Sequence, residues 1–286
     1  MANIILENDR LVVEIAEPGT VYRRHRFDWT GIVIKAVLDG KHQFISRELP
    51  MFDQCSGGYG LCSCYDSADL MEYVPTPVGD YYPRVGIGRV KKKQRDPFSI
   101  MGEYEIDPAR MRWQEKKDSV NFTVEPLECN GYAFLLKKYM YLDGNTLVTE
   151  HSLTNTGVKA VMFDEFNHNY MMIDDYAVNG DYVFSVPYPL RAQMIRGEVK
   201  LSRYSLSVSS YDDFFYLDVS GFEGYTPHTW TVRHLPSGLG YSETLNQPVV
   251  KLNIWGCSNN FCPETFTRIR SIPGDTAYWK RSMTFF

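Results

Sequence analysis

Apolar and polar residues alternate along most of the chain, which is the pattern expected of strands that bury one face. Residues 3–15 contain two such runs separated by a turn signal. The apolar run Gly31–Leu38 is followed by Asp39–Gly40 and then by Phe44–Ile45. An Asp-Gly pair between two apolar runs is a strong signal for a β-hairpin. The first part of the chain is therefore predicted to form short antiparallel strands.

The same alternation continues through residues 104–153 and again through residues 178–286. No run with helical period and caps is longer than about three turns. No shift in composition marks a linker, and no internal repeat is visible. We therefore expect residues 1–286 to form a single all-β domain of antiparallel strands. Turn signals near the middle of the chain are Asn130–Gly131, Asp143–Gly144 and Thr156–Gly157.

Residues 49–82 interrupt this pattern with many glycines, prolines, tyrosines and acids. They predict a long loop region with one short helical piece around Ala68–Tyr73. Loops of this length in a compact domain are usually functional or disordered. The tyrosines favour an ordered loop, and they are Tyr59, Tyr65, Tyr73, Tyr81 and Tyr82.

Composition excludes some classes of partner. The 286 residues are 44% hydrophobic and 23% charged, which is typical of a globular protein. The formal net charge of -5 disfavours nucleic acid and anionic membranes as partners. The basic run at residues 91–95 is then a solvated face, or the source of one lysine that contacts an anionic or polar ligand. The N-terminus lacks the pattern of a signal peptide and no window has the length of a membrane helix, so we expect a cytoplasmic protein.

The six cysteines do not point to a metal. None of them forms a CxxC pair, and their spacing does not match a zinc site. We therefore expect reduced, half-buried thiols and no metal ion.

Near the middle of the chain, His168 lies between Asn167 and Asn169 in the stretch FDEFNHNYMMIDD. In an extended strand, His168 shares one face with Phe166 and Tyr170. An imidazole in an aromatic, amide-rich groove can donate or accept a proton near neutral pH. The alternative is a histidine at the edge of the core whose ring is satisfied by a backbone carbonyl.

Three further groups of residues are candidates for a site. Glu264 follows a proline in FCPETF, and its apolar neighbours would exclude water, which suits a carboxylate to act as a base; the alternative is a structural glutamate in a salt bridge. Trp255 ends the preceding strand and is a candidate wall for a sugar ring. Arg26 and Asp28 lie in a charged segment that is either a solvated edge strand or the lining of a polar cleft.

Together these stretches resemble the aldose 1-epimerase (galactose mutarotase) superfamily. Asn167-His168-Asn169-Tyr170 is similar to the family segment that carries the catalytic histidine. The hairpin HLPSGLGYSETLNQPVVKLNIWG followed by FCPETF is similar to the family's Ser-Gly turn, Gln-Pro strand and catalytic glutamate. The stretches YRRHRFDWTGIVIKAVLDGKHQF and RVGIGRVKKK resemble a divergent bacterial branch.

The resemblance implies a β-supersandwich of two large antiparallel sheets packed face to face. It implies chemistry at the anomeric carbon of a monosaccharide or sugar derivative, with no metal and no organic cofactor. By family role, Glu264 would take the proton of the anomeric hydroxyl and His168 would protonate the ring oxygen. The resemblance leads us to expect both side chains in one concave pocket, several ångströms apart, with Trp255 or Tyr170 as walls.

The chain also departs from the family pattern. Many mutarotases carry a second histidine in a stretch that corresponds to VGIGRV, where this chain has Ile87 and retains Arg89. The family acid that binds sugar hydroxyls is matched by Glu223 in Gly-Phe-Glu. These changes indicate a different sugar, for example an acidic or modified one contacted by Arg26 or by a lysine of residues 91–93. The candidate substrate-binding residues are Arg26, Asp28, Arg89, Asn169, Glu223 and Trp255.

Two alternatives from other functional classes remain open at this point. One is a non-catalytic carbohydrate-binding sandwich, because one fold hosts many functions. The other is a protein related to polysaccharide lyases or hydrolases, in which Glu264 and Glu223 would flank the scissile bond.

Overall fold

A computed structural model describes residues 3–49, 55–66, 73–93 and 98–286, and these residues form 23 strands and no helix. The predicted all-β class is therefore confirmed. The helical piece predicted around Ala68–Tyr73 lies, apart from Tyr73, outside the described residues. Within the described ranges, no helical segment is long and apolar enough to cross a membrane.

The first large sheet contains ten antiparallel strands in the order β1-β2-β3-β5-β13-β22-β21-β18-β15, with β4 paired to β3. These strands are β1 (Ile4–Glu7), β2 (Leu11–Ile15), β3 (Val33–Leu38), β4 (His42–Gln43), β5 (Leu61–Asp66), β13 (Val161–Asn169), β15 (Arg191–Arg196), β18 (Phe215–Ser220), β21 (Val249–Cys257) and β22 (Asn260–Ser271).

The second large sheet also contains ten antiparallel strands, in the order β16-β17-β14-β19-β20-β23-β12-β11-β10-β9. These strands are β9 (Met111–Glu115), β10 (Ser119–Val124), β11 (Phe134–Asp143), β12 (Thr146–Asn155), β14 (Tyr182–Ser185), β16 (Glu198–Leu201), β17 (Ser205–Ser210), β19 (His228–His234), β20 (Gly240–Leu245) and β23 (Thr276–Phe285). A small third sheet consists of β6 (Tyr81–Arg84), β7 (Gly88–Lys91) and β8 (Ile106–Pro108).

The predicted Asp39–Gly40 hairpin joins β3 to β4. Both turn residues have positive φ, 51° for Asp39 and 67° for Gly40. This is the left-handed geometry that matches the twist of the flanking strands, and an Asp-Gly pair adopts it readily. The predicted hairpin at residues 3–15 is also present as β1 and β2.

The main core lies between the two large sheets, and several of their strands bury every second side chain there. In β2, Leu11, Val13 and Ile15 are buried and the residues between them are only half-buried. Trp230 and Phe285 of the second sheet belong to the same cluster. The two-residue period seen in the sequence is thus the signature of this sandwich.

A second apolar cluster covers the opposite, outer face of the first sheet. Leu61 packs in the main core, whereas its neighbour Cys62 packs in the outer cluster; Phe261 and Cys262 divide in the same way. Successive side chains of a strand point to opposite faces, so the outer cluster lies on the side away from the second sheet. Residues 16–32 lie over this face and shelter it from water.

Candidate active site

His168 projects from the outer face of the first sheet. On the inner side of β13, Glu165 forms an ion pair with Arg281 of the second sheet at 2.8 Å, and Asn167 lines a small cavity between the sheets. Because side chains alternate, Phe166 and His168 point the other way, as the sequence predicts. The imidazole is stacked on the ring of Tyr170, with 3.8 Å between ring centroids and 8° between planes.

Glu264 projects from β22 beside this imidazole. Its Oε1 atom lies 2.9 Å from Nε2 of His168, and the two side chains are 8% and 5% exposed. The resemblance led us to expect several ångströms between the two groups, but they form a direct hydrogen bond. Tyr170 is held between His168 and Gly58, because a Cβ atom added at Gly58 would lie 2.1 Å from the Tyr170 ring.

Both side chains line a cavity of about 210 Å³ on the outer face. Trp255 stands edge-on to the imidazole, with 5.7 Å between centroids. Aromatic walls and a few polar groups in a concave site are typical of a small-molecule pocket. The described residues that line it are Arg26, Glu48, Ile100, Met101, His168, Tyr170, Tyr216, Trp255 and Glu264.

Glu48 is a pocket residue that the sequence analysis did not identify. Its carboxylate accepts hydrogen bonds from the backbone amides of Ser56 and Gly58, both at 3.0 Å, and from the Ser56 hydroxyl at 2.6 Å. The hydroxyl of Tyr170 donates a fourth, at 3.3 Å. Burial opposes ionisation of Glu48, but these donors and the charge of Arg26 outweigh it and hold its pKa below the usual value. No single motif marks Glu48 in the sequence, and one of its donors, Tyr170, is distant in the chain.

Arg26 provides positive charge at the same end of the pocket. Its Nη1 donates to the Ser56 hydroxyl oxygen at 2.8 Å. Burial works against the charged form, but the acidic groups around it, first Tyr170 and Cys64 and then Glu264 and Glu48, raise the pKa of Arg26 above its usual value. The guanidinium therefore balances part of the negative charge of the two carboxylates.

Tyr216 also lines the pocket, and the sequence analysis did not identify it. It lies on β18 directly across from Trp255 of β21, and its hydroxyl is in hydrogen-bond contact with the side chain of Asn253. Burial, followed by the negative charges of Glu264 and Asp218, raises the pKa of Tyr216 to about 12. Only the pairing of β18 with β21 brings this tyrosine to the site.

Asp28 does not line the pocket, which corrects the expectation from the sequence. Its carboxylate is fully buried and accepts hydrogen bonds from Lys138 Nζ at 2.9 Å and from the Tyr65 hydroxyl at 3.1 Å. The backbone amide and the hydroxyl of Thr30 both donate to its other oxygen, Oδ1. Asp28 neutralises a lysine that the second sheet carries into the interior, and it has no free acceptor for a sugar.

Three other predicted substrate-binding residues also lie away from the pocket. Arg89 lies on the third sheet and pairs with Asp107. Glu223 is exposed in the connection between β18 and β19. Asn169 is fully buried on the inner side of β13, where its Nδ2 donates to the carbonyl oxygen of Pro263 at 2.7 Å.

The described part of the basic run, residues 91–93, is not in the pocket lining either, and Arg95 lies outside the described residues. Lys91 pairs with Glu105 at 3.0 Å, and Lys92 is buried with its Nζ donating to the carbonyl oxygens of Tyr73 and Val74. Of the predicted substrate-binding set, the structure places Arg26 and Trp255 in the pocket with His168 and Glu264. Among the described residues, no three His, Cys, Asp or Glu side chains form a group that could hold a metal ion.

Comparison with known proteins identifies the fold. No family model matches the chain, and no curated protein matches it by sequence. A protein of known structure from Escherichia coli K12, provisionally assigned as an aldose 1-epimerase, is 11% identical with a TM-score of 0.60, over 100% of this chain and 99% of that one. A galactose mutarotase related enzyme from Lactobacillus acidophilus is 15% identical with a TM-score of 0.58, over 100% of this chain and 97% of that one.

An aldose epimerase homologue from C. elegans is 11% identical with a TM-score of 0.57, over 100% of this chain and 98% of that one. At these identities the matches establish the architecture. The chain has the galactose mutarotase-like fold, and the resemblance seen in the sequence is confirmed at that level. Fold alone does not define activity, which has to be argued from the site.

Proposed function

We propose that this protein is a cofactor-independent epimerase that interconverts the anomers of a sugar by acid–base ring opening. The observation that carries the proposal is the contact between His168 and Glu264 inside one sugar-sized pocket. An imidazole and a carboxylate are the groups most often used to move protons in catalysis.

The short distance between the two groups fits this reaction. The ring oxygen and the anomeric hydroxyl oxygen of a cyclic sugar are bonded to the same carbon. The acid and the base that act on these two oxygens can therefore lie as close together as His168 and Glu264 do. The ring oxygen of the bound sugar replaces Glu264 as the acceptor of the His168 Nε2 proton. Glu264 then takes the hydroxyl proton while the imidazolium gives its Nε2 proton to the ring oxygen. The bond between C1 and the ring oxygen breaks, and C1 becomes a carbonyl. After rotation about the C1–C2 bond, the reverse transfers close the ring as the other anomer.

The walls of the pocket suit a sugar. Trp255, Tyr170 and Tyr216 offer flat apolar surfaces for the C–H faces of a ring, and two of them also carry hydroxyl groups. Among the described lining residues, Arg26 is the cation, and it can donate to sugar hydroxyls or to a carboxylate. Because Lys91 and Lys92 are engaged elsewhere, Arg26 is better placed than either lysine to recognise an acidic group on the sugar.

A glycoside hydrolase would need a second carboxylate free to act across the scissile bond. Glu48 is the other carboxylate among the described lining residues, and four donors of the protein hold it in place, three at Oε2 and one at Oε1. Glu223, the earlier candidate, is on a different part of the surface. This arrangement favours the epimerase over the hydrolase.

The test is an NMR exchange measurement of anomer interconversion on a panel of neutral aldoses and uronic acids. We expect the wild-type protein to accelerate exchange of at least one sugar over buffer. Glu264→Gln keeps the shape of the side chain but removes the base, so the rate should fall by about 10² to 10⁴. The matched control is Glu150→Gln, since Glu150 is exposed on the second sheet and should not affect the rate.

The same experiment, with sugar binding measured alongside exchange, distinguishes the epimerase from a non-catalytic carbohydrate-binding module. A carbohydrate-binding module would show binding of a sugar by wild type and Glu264→Gln with no acceleration by either. If no sugar of the panel exchanges faster in the presence of wild-type protein, the epimerase proposal is wrong.

A further inference from the structure

The main-chain ladder between the two strands that carry His168 and Glu264 stops just before the site. The pairing of β13 with β22 runs from Val161 opposite Ser271 to Glu165 opposite Thr267 and goes no further. Beyond that point β13 remains paired with β5, and β22 remains paired with β21. Pro263 lies in the part of β22 that does not pair with β13, and a proline has no amide hydrogen to give to a ladder.

Buried side chains bridge this gap from the inner face. Asn169 Nδ2 donates to the carbonyl oxygen of Pro263 at 2.7 Å. Arg281 Nη2 donates to the carbonyl oxygens of Thr265 at 2.7 Å and of Glu165 at 3.3 Å. The two anchors therefore hold the residues immediately before and after Glu264.

We propose that Asn169 and Arg281 are positioning residues that set the separation of His168 and Glu264. Asn169 is the neighbour of His168 in β13, so its bond to Pro263 ties the two functional strands at the level of the pair. The expected effect of these residues on the reaction rate rests on the function proposed above. Their expected effect on the separation of His168 and Glu264 does not, because it concerns the hydrogen bond between His168 Nε2 and Glu264 Oε1 in the free protein.

The reason that such anchors matter is that ladder hydrogen bonds normally fix the spacing of neighbouring strands. Where they are missing, only side-chain contacts keep the strands from separating. A displacement of about 1 Å in catalytic groups can cost about 10²-fold in rate. Asn169 and Arg281 thus fix the spacing of β13 and β22 beside His168 and Glu264, as ladder hydrogen bonds fix it elsewhere in the sheet.

Asn169 is the better residue to change, because Arg281 also neutralises two buried carboxylates and its loss would destabilise the core for another reason. Asn169→Asp is nearly isosteric. When protonated, the introduced carboxyl can still donate to the Pro263 carbonyl; when ionised, it cannot donate and repels that oxygen. Asn169→Leu cannot donate at any pH.

The experiment has two readouts. The first is the ¹⁵N signal of His168 Nε2 in the ligand-free protein, which reports its hydrogen bond to Glu264. We expect it to shift toward the value of an unbonded imidazole in Asn169→Leu at every pH, and in Asn169→Asp only as pH rises. The second is the ratio of variant to wild-type kcat for anomer exchange, which should follow the same two patterns. Asn155→Asp is the matched control, since Asn155 is equally buried and donates to the Ser271 carbonyl at the far end of β22.

Each outcome decides the matter. A His168 signal that is unchanged in Asn169→Leu overturns the positioning role, as does a rate ratio for Asn169→Asp that is the same at all pH values. An equal effect of Asn155→Asp would show that any buried anchor on β22 matters, and would also overturn it. If the wild-type protein has no exchange activity, the proposed function fails, but the ¹⁵N signals still test the geometry.

Discussion

Asp28 was predicted to bind substrate, but the structure places its carboxylate in a buried ion pair with Lys138. A change at this residue therefore tests whether its role is structural. Its carboxylate and the Lys138 ammonium are 2.9 Å apart, and both side chains are almost fully buried, at 0% and 1% exposed. Asp28→Asn removes the negative charge and leaves the ammonium in the interior with neutral partners, which include the Thr30 carbonyl and the Ser63 hydroxyl. Removal of one member of a buried ion pair typically costs about 3–5 kcal/mol.

That loss is large compared with the whole stability of a typical domain, which is about 5–15 kcal/mol. For a chain of this length, each kcal/mol lowers the melting temperature by about 2 °C, so we expect Asp28→Asn to lower it by about 6–10 °C. Urea unfolding should show a lower midpoint with an unchanged m-value. Lys138→Met should destabilise the protein to a similar extent, because it leaves the carboxylate buried and unpaired.

The double variant provides the matched control. When both charges are absent, neither buried group is left unpaired, so Asp28→Asn with Lys138→Met should cost clearly less than the sum of the single changes. Below the melting temperature of each variant, the KM for the exchanging sugar should equal that of wild type. A protein of normal stability with a raised KM would refute this reasoning and would restore Asp28 as a substrate ligand.

Two further predictions concern the aromatic stack and the response to pH. Tyr170→Leu removes the ring that packs on His168. An aromatic contact of this kind is worth about 0.5–1.5 kcal/mol, so kcat for anomer exchange should fall about two- to tenfold. Tyr170→Phe keeps the ring and loses only the contacts of the hydroxyl, which include Glu48 and Ser56, so it should retain most of the rate. Equal losses would mean that the hydroxyl and not the stack matters. His25 is fully buried against the Ser99 carbonyl, and burial, followed by the charge of Arg84, lowers its pKa from 6.5 to about 4. The unfolded chain therefore binds the proton first, stability is lost as pH falls from 6.5 towards 4, and His25→Gln should reduce that slope by up to about 1.4 kcal/mol per pH unit in urea unfolding; an unchanged slope would contradict the assignment.

Much of the secondary structure could be predicted from local pattern. The Asp39–Gly40 turn needs two residues with positive φ and has them, so its hairpin follows from the pair itself. The alternation through residues 163–169 predicts that Phe166 and His168 share a face, and they do, because side chains of a strand alternate whatever its neighbours are. Local chemistry is sufficient for features of this kind.

The candidate site was only partly predictable, and the failures have one physical origin. Asp28 looked like a cleft residue, but its role is set by Lys138, which is distant in the chain. Tyr216 gave no signal at all, since it enters the pocket only because β18 pairs with β21. Charge and residue type show that a side chain needs a partner, but they do not show which partner it meets.

By itself, the sequence determined the period of its strands, the positions of its tight turns, and the face on which His168 lies. The tertiary structure decided the order of the strands, and with it the neighbours of each side chain. It placed β13 beside β22, ended their ladder at Glu165 and Thr267, and brought His168 to within a hydrogen bond of Glu264. The reason is that strand order depends on the summed packing of both sheets, whereas alternation depends on the geometry of a single extended backbone.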